Sequence, residues 1–527
     1  MILAIDQGTT GTTCIVFDED AQPLGRAYRE FTQHFPHPGW VEHDASEIWE
    51  VTHAVAGEAL TDAGARPGDL EGVGITNQRE TVCVWDPAGG WPLHNAIVWQ
   101  DRRTAARCEE LRAAGLEPLI RERTGLVLDP YFSATKMQWL MENVPGLRAR
   151  AEDGRAVFGT IDSWLLYKLT GEHLTDASNA SRTMLYDIAA GRWDPELLER
   201  FGVPERALPR VGPSAGMLGQ TRPSMLHGHA APVAGVAGDQ QAALFGQACV
   251  EAGMGKNTYG TGSFVLLNTG STPAKPAPGV LGTVAWEIEG KKDEAPTGGA
   301  ARAASGDSGR RAGIARAYAL EASIFVTGAA VQWLRDGLGV IEQAADSEAL
   351  ASTLEGNDGV YFVPALTGLG SPHWDPHARG TITGLTRGSG RAHLARAALE
   401  AIAYQTLDAV RAMEVASGQP LHELRADGGA TANGWLMQFQ ADVLGVPVVL
   451  PELTETTALG AAYLAGVGVG RWTLGDVAAA WRERARYEPR MGEEQRAELL
   501  AGWHDALARA RSAGHDVGAG ADVGAPA

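Results

Sequence analysis

Three short stretches carry residue types suited to phosphate and polyol chemistry. The first is Asp6-Gln7-Gly8-Thr9-Thr10. Small hydroxyls and unhindered backbone amides in a tight turn can wrap a phosphate, and a carboxylate beside them can hold Mg²⁺ through water. The same string also reads as an ordinary hairpin turn with an Asx-type bond. The second is Gly238-Asp239-Gln240-Gln241, after an apolar run. Asp239 either caps the helix that follows or acts as a general base beside a transferred phosphoryl group, where positioning matters more than a raised pKa. The third is Arg79-Glu80, within Ile75 to Thr81. That pair is a surface ion pair, or a donor fork beside an acceptor, which matches a vicinal polyol. Trp99 and Tyr131 either fill a core or wall the C–H face of a small polyol. No GxxxxGK[ST] string and no HRD/DFG pair occurs, so P-loop and protein-kinase chemistry are set aside.

The elements that must position these residues follow from apolar patterning. Ile2 to Ile5 and Cys14 to Phe17 are apolar runs joined by a Gly/Thr turn, a hairpin with Asp6 at its tip end. Gly72 to Thr76 reads as a strand, with Thr81 to Trp85 as its partner. Helical periodicity covers residues 46–60, 104–114, 133–142, 163–169 and 493–510. Strand-like runs ending at Asp239 and at Asp427 each pass into a helix, the second over 432–444. Strand-to-Asp junctions in both halves predict an α/β architecture with ligands at the carboxyl ends of strands. The half-way boundary falls near residues 245–256. Lys291 to Gly313 has no periodicity and almost no large apolar residue, and is expected to be a disordered surface excursion. The Gly/Ala/Asp-rich tail from about Ser512 is expected to fray.

At 527 residues the chain is long enough for three to four ordinary domains or two large ones. Hydrophobic residues make up 44% and charged residues 20%, ordinary globular usage. A net charge of -20 argues against nonspecific nucleic-acid binding and against an anionic membrane surface. It leaves a small anionic ligand open, because amides and a cation neutralise one locally. Four widely spaced Cys, with no CxxC pair, exclude a disulfide scaffold and leave no structural zinc pattern. The start MILAIDQ carries no signal-peptide pattern and no apolar run reaches 18 residues. A soluble, cytoplasmic protein without stable membrane insertion is expected.

Longer strings make the sequence recognisable. DQGTT (6–10), GWVEHD (39–44), GITNQRET (74–81), NAIVWQDRRT (95–104) and YFSATKMQWLMEN (131–143) are followed by NASRTMLYD (179–187) and GDQQAALFGQ (238–247). NTYGTGSF (257–264), PALTGLGSPHWDP (364–376) and DGGATANGWLMQFQ (427–440) continue the series, and Gly380 to Glu400 fits a second signature. Together they resemble the FGGY carbohydrate kinases, and among them the glycerol-phosphorylating members. The resemblance runs from Ile2 to about Pro489, apart from 291–313. It implies two actin-like (ribonuclease H-like) domains with the ATP and substrate cleft between them. Residues 1–248 would bind polyol and phosphate, 249–488 the nucleotide, and 489–527 would be a helix and flexible tail.

The resemblance also implies roles. Glycerol would be held by Arg79, Glu80, Tyr131, Asp239 and Gln240, with Trp99 and Phe264 against its carbons. Asp239 would be the catalytic base. Asp6, helped by Asp239, would hold Mg²⁺. Thr9, Thr10, Thr261, Gly328, Gln332, Gly429 and Asn433 would contact ATP or ADP. A homodimer or homotetramer is implied by analogy.

Two departures stand out. Family members commonly carry an Arg three residues after the second Thr of DQGTT, where this chain has Thr13. The stretch Leu226 to Pro232 lacks the Arg of a sugar-bisphosphate control loop, so that control is expected to be absent, and His227 reads as an exposed loop histidine. A pentulose kinase of the same family would be expected to lack the Arg79-Glu80 and Tyr131 set. Thr13 and the excursion are what a non-catalytic, nucleotide-binding relative would display.

Overall fold

A computed structural model describes residues 1–275, 277–290 and 313–512. Most of the predicted excursion (291–312) and the tail beyond Ser512 lie outside the described residues. The apolar run at the N-terminus forms strand Ile2–Gln7, which pairs antiparallel with Gly11–Phe17, which in turn pairs with Pro23–Glu30. Strand Gly72–Asn77 lies parallel on the other side of Ile2–Gln7, and Pro232–Gly238 lies parallel beyond it. The second half repeats this plan. Met254–Tyr259 pairs antiparallel with Ser263–Gly270, and that strand with Ile314–Ile324. Glu423–Gly428 runs parallel to Met254–Tyr259, followed by Val448–Pro451.

The two halves share one thirteen-stranded sheet among the described residues. Its outermost strands are Pro23–Glu30 and Glu483–Tyr487. The halves meet where Ala215–Gln220 runs parallel to Leu281–Glu289, in register at Ala215 and Ile288. Leu281–Glu289 and Ile314–Ile324 pair antiparallel on either side of the excursion, and Gly290 N donates to Gly313 O at 2.6 Å. Fully buried runs such as Ile2-Leu3-Ala4-Ile5 mark strands covered on both faces.

A second tie between the halves is helix Thr456–Gly468. Its run of Gly and Ala lies across the sheet of the first half against Gly74 and Gly235. A Cβ on Gly74 would stand 2.1 Å from the Ala461 carbonyl oxygen, so only a glycine admits this helix. Among the described residues no helix is long and apolar enough to cross a membrane.

One expected pairing is wrong. Cys83–Trp85 pairs with Val157–Gly159, not with Gly72–Asn77. Both edges of Gly72–Asn77 are already occupied by Ile2–Gln7 and Pro232–Gly238. The segment after it therefore leaves the sheet, and Glu80 turns the chain with a φ of 62°. The expected helices are present as Ala45–Asp62, Ala105–Ala113, Ala134–Asn143, Ile161–Thr170, Gly434–Leu444 and Glu493–Ala510.

Candidate active site

The register of the parallel strands brings their carboxyl ends together. Asp6 lies opposite Thr76, Asn77 opposite Gly238, and Thr258 opposite Asp427. Asp239 therefore follows directly after a central strand, as the first residue of helix Asp239–Gly246. Gly238 occupies the cap position, where it has no side chain to cap with. The Asp239 Oδ1 faces Arg79 Nε at 3.0 Å and accepts from its neighbour Gln240 N, an amide of the helix's first turn, at 2.7 Å.

Arg79 and Glu80 are not a surface ion pair: they are 3% and 1% exposed. Neither charge could be buried without partners. Arg79 has Asp239 on Nε, Glu321 on both terminal nitrogens (3.1 Å from Nη2) and Gln241 Oε1 at 3.3 Å from Nη1. Glu80 accepts from Arg182 Nε at 2.6 Å, and its backbone oxygen accepts from Ser133 Oγ at 3.0 Å. These contacts hold a non-glycine residue in the left-handed region, a conformation that costs roughly 1 kcal/mol or more. Burial acts to raise the Glu321 carboxyl, but Arg182 and Arg79 overcome it and hold it at about 2.

Aromatic rings close this pocket. Trp99 meets Tyr131 edge-on at 5.5 Å, and Trp99 Nε1 donates to Thr9 Oγ1 at 2.9 Å. The Arg79 guanidinium lies 5.8 Å from the Phe264 ring, and that of Arg182 lies 5.7 Å from Tyr131. Burial and then Glu80 raise the Tyr131 phenol, so it stays a hydrogen-bond donor. Gln240 Oε1 accepts from Lys256, whose Nζ also reaches Thr258 Oγ1 at 2.8 Å. Burial lowers Lys256 to about 8, against the pull of Asp427, Asp239 and Glu321.

The turn after Ile2–Gln7 is braced from behind. Gly8 N donates to Gly11 O at 2.9 Å, and Thr10 O accepts from Phe31 N at 3.2 Å. Gln78 Nε2 reaches Gln7 Oε1 and Gly8 O at 3.1 and 3.2 Å, while Gln33 Nε2 reaches Thr9 O at 3.0 Å. His43 lies between these two amides, 2.6 Å from Gln33 Oε1 through Nε2 and 3.4 Å from Gln78 through Nδ1. Burial, with His34, lowers His43 to about 4, so it is neutral and the network assigns its proton to Nε2. Asp6 is pushed up to about 8 by burial, by Asp239 and by Glu455. Thr13 stands directly across the hairpin from Asp6.

On the second half, a cavity of about 420 Å³ is lined by Thr261, Gly328, Gln332, Gly429 and Asn433. Leu399, Ile402 and Leu436 give it an apolar wall, with Glu348 and Arg335 at its polar side. Apolar walls with a few polar groups suit a heterocyclic base on a ribose. Asn433 Oδ1 caps helix Gly434–Leu444 by accepting from Leu436 N at 2.9 Å. Thr9 and Thr10 lie outside this cavity, on the turn beside Trp99. A more open hollow of about 690 Å³ between helix Ala45–Asp62 and the 227–229 loop contains none of these residues. His227 is exposed there, as expected, with its ring stacked on His53 at 4.1 Å.

Arg182, Glu321, Lys256, Gln33 and His43 were not anticipated individually. A signal existed for two of them: Arg182 and Glu321 are lone charges inside otherwise apolar or small-residue runs, NASRTMLY and YALEASIFV.

Known proteins align along nearly the whole chain. Residues 1–246 match the FGGY family of carbohydrate kinases, N-terminal domain, and residues 255–469 match its C-terminal domain. The glycerol kinase of Deinococcus radiodurans is 54% identical over 513 residues, 97% of each chain. That of Carboxydothermus hydrogenoformans is 53% identical, covering 97% of this chain and 98% of its own. The crystal structure of Plasmodium falciparum glycerol kinase with ADP superposes with a TM-score of 0.88 at 34% identity, over 97% of this chain and 98% of that one.

Proposed function

The chain belongs to the FGGY family of carbohydrate kinases, and from that premise we propose that it phosphorylates glycerol with ATP to give sn-glycerol 3-phosphate. The observation that carries this reading is the buried Arg79-Glu80 pair, with Arg79 joined at 3.0 Å to the strand-end carboxylate of Asp239. A vicinal polyol both donates and accepts, so a guanidinium beside a carboxylate recognises it at low cost in desolvation. Tyr131, a donor at all working pH values, and Gln240 complete the polar contacts. Trp99 and Phe264 cover the carbon face.

Asp239 is the general base. Both of its bonds fall on Oδ1, which leaves Oδ2 to take the proton of the attacking hydroxyl. Arg79 fixes that carboxylate in place, and late proton loss makes its orientation count for more than its basicity. The Gly8 amide is taken up within the turn by Gly11 O, so the amides of Thr9 and Thr10, on a turn braced by Gln33, Gln78 and His43, are the ones that face the transferring phosphoryl group. Thr9 and Thr10 contact the phosphates, while Thr261, Gly328, Gln332, Gly429 and Asn433 hold the rest of the nucleotide. The donor chemistry fits Mg²⁺: Asp6 and Asp239 are oxygen donors, and their mutual repulsion is part of what holds Asp6 near 8. Bound there, the ion neutralises phosphoryl charge.

We assign residues 1–248 to the polyol and phosphate half, 249–488 to the nucleotide half and 489–527 to a terminal helix and tail. Cytoplasmic location and a homodimer or homotetramer complete the reading; fractionation and analytical ultracentrifugation test them. The central experiment offers purified protein ATP, Mg²⁺ and, in turn, glycerol, dihydroxyacetone, xylulose and ribulose. Glycerol should be the preferred acceptor. A better turnover of a pentulose, or none at all by folded, nucleotide-binding protein, would overturn the assignment.

A further inference from the structure

The polyol pocket rests on a carboxylate from the other half of the molecule. Glu321 lies on strand Ile314–Ile324 and is completely buried. It accepts from both terminal nitrogens of Arg79 and, at 2.9 Å, from Arg182 Nη2. Arg182 in turn holds Glu80 Oε1 at 2.6 Å, and Glu80 Oε1 lies 3.9 Å from Arg79 Nε. The four side chains form a ring, Arg79–Glu321–Arg182–Glu80, that opens toward Asp239 through Arg79 Nε. Three of them come from residues before the half-way boundary and only Glu321 from beyond it.

Two guanidiniums buried side by side repel unless a negative charge sits between them. Glu321 supplies that charge and touches both. A planar fork engaged on both terminal nitrogens has little freedom left. Arg79 is thereby fixed with Nε toward Asp239; Arg182 is held by Glu321 on Nη2 and by Glu80 on Nε. Resting on the polyol reading above, we propose that Glu321 is a positioning residue for the acceptor substrate. It prearranges the Arg79 donor and, through Arg182, the Glu80 acceptor, and does so from the nucleotide-binding half. Polyol affinity then depends on how the two halves are set against each other, without Glu321 touching the polyol.

The test replaces Glu321 by an uncharged isostere, Glu321→Gln, and by the shorter carboxylate, Glu321→Asp. The readouts are KM for glycerol, KM for ATP and the preference for glycerol over propane-1,3-diol, which has the same length but no vicinal pair. In Glu321→Gln, KM for glycerol should rise roughly tenfold to a hundredfold, with KM for ATP within about twofold and the preference for the vicinal diol reduced. Glu321→Asp restores the charge but not the reach, and should fall between Glu321→Gln and the wild type. Should Glu321→Gln fail to fold, the Asp variant carries the same comparison. A lowered melting temperature with glycerol KM and diol preference unchanged would overturn the proposal and leave Glu321 a structural residue. If the wild type prefers another polyol, the same comparison made with that polyol separates failure of the substrate assignment from failure of the positioning role. No polyol turnover by the wild type would overturn both.

Discussion

Two glycines that line the proposed nucleotide cavity should respond to the same methyl group differently, one losing stability and the other only ligand space. A Cβ on Gly328 would stand 2.5 Å from the Gly260 carbonyl oxygen, where ordinary contact begins near 3.4 Å. That oxygen cannot simply swing away, because it accepts from Gly328 N at 3.1 Å and from Thr327 Oγ1 at 3.1 Å. The loop or helix Gly328–Gln332 must therefore shift by most of an ångström, and overpacking of that kind costs about 1–3 kcal/mol. A Cβ on Gly429 meets nothing within 4 Å, and Gly429 lines the 420 Å³ cavity. Its methyl group fits the protein but takes up ligand space. Gly328→Ala should therefore lower the melting temperature and raise KM for ATP about tenfold, equivalent to about 1.4 kcal/mol. Gly429→Ala should melt like the wild type and still bind ADP more weakly, with KM for glycerol unmoved in both. The assays are coupled ADP release at saturating glycerol and thermal unfolding with and without ADP. A Gly429→Ala protein that binds ADP as the wild type does would refute the placement of the nucleotide in this cavity. An unchanged melting temperature in Gly328→Ala would refute the close-approach argument.

Asp239→Asn keeps the acceptor for Arg79 but cannot take a proton, so kcat should fall by about 10²–10⁴ with glycerol binding retained; activity near wild type would remove Asp239 as the base. Thr13→Arg introduces a guanidinium across the hairpin from Asp6, and a charge-assisted bond of about 1.5–3 kcal/mol should raise kcat/KM for ATP by about tenfold or more. An unchanged or lower value would show that the phosphates do not reach this strand. Asp162 is completely buried, and burial followed by Asp176 raises it to about 7. The folded state then binds a proton that the unfolded state releases above its usual pKa of 3.8, so stability falls as pH rises from about 4 to 7. Asp162→Asn should flatten that decline and be more stable than the wild type at pH 8, by an amount bounded at roughly 4 kcal/mol. Denaturation at pH 5 and pH 8 decides it, and an equal loss of stability at both would refute it.

Features encoded over a few neighbouring residues were legible in the sequence. The hairpin ending at Asp6, the strand-to-helix junctions at Asp239 and Asp427, and the helix boundaries all follow from local apolar runs and Gly-rich turns. The five cavity residues Thr261, Gly328, Gln332, Gly429 and Asn433 came from the family resemblance, and the structure brings them to one cavity. Relations across long separations were not legible. Glu321 meets Arg79 across 242 positions and Arg182 across 139. An isolated acidic residue in an apolar strand signals a buried partner without saying which one. Cys83–Trp85 failed for a related reason: three apolar residues fit either edge of any strand, and pairing was decided by which edges were already filled. Lys256 and Gln240 meet because strand Met254–Tyr259 of the second half runs beside helix Asp239–Gly246.

The continuous sheet has consequences at its two ends. Pro23–Glu30 begins with a residue that cannot donate to a neighbouring strand, and it displays Arg26, Arg29 and Glu30 to solvent. Glu483–Tyr487 displays Glu483, Arg484 and Arg486. Several of these charges are already engaged on their own molecule, Arg26 with Glu455, Arg29 with Glu58 and Arg486 with Glu423. An incoming strand would have to break those pairs and strip water from the rest, which is how natural sheets discourage edge-to-edge aggregation. The sheet of thirteen strands among the described residues is therefore guarded at both ends against being lengthened by a second copy of the chain.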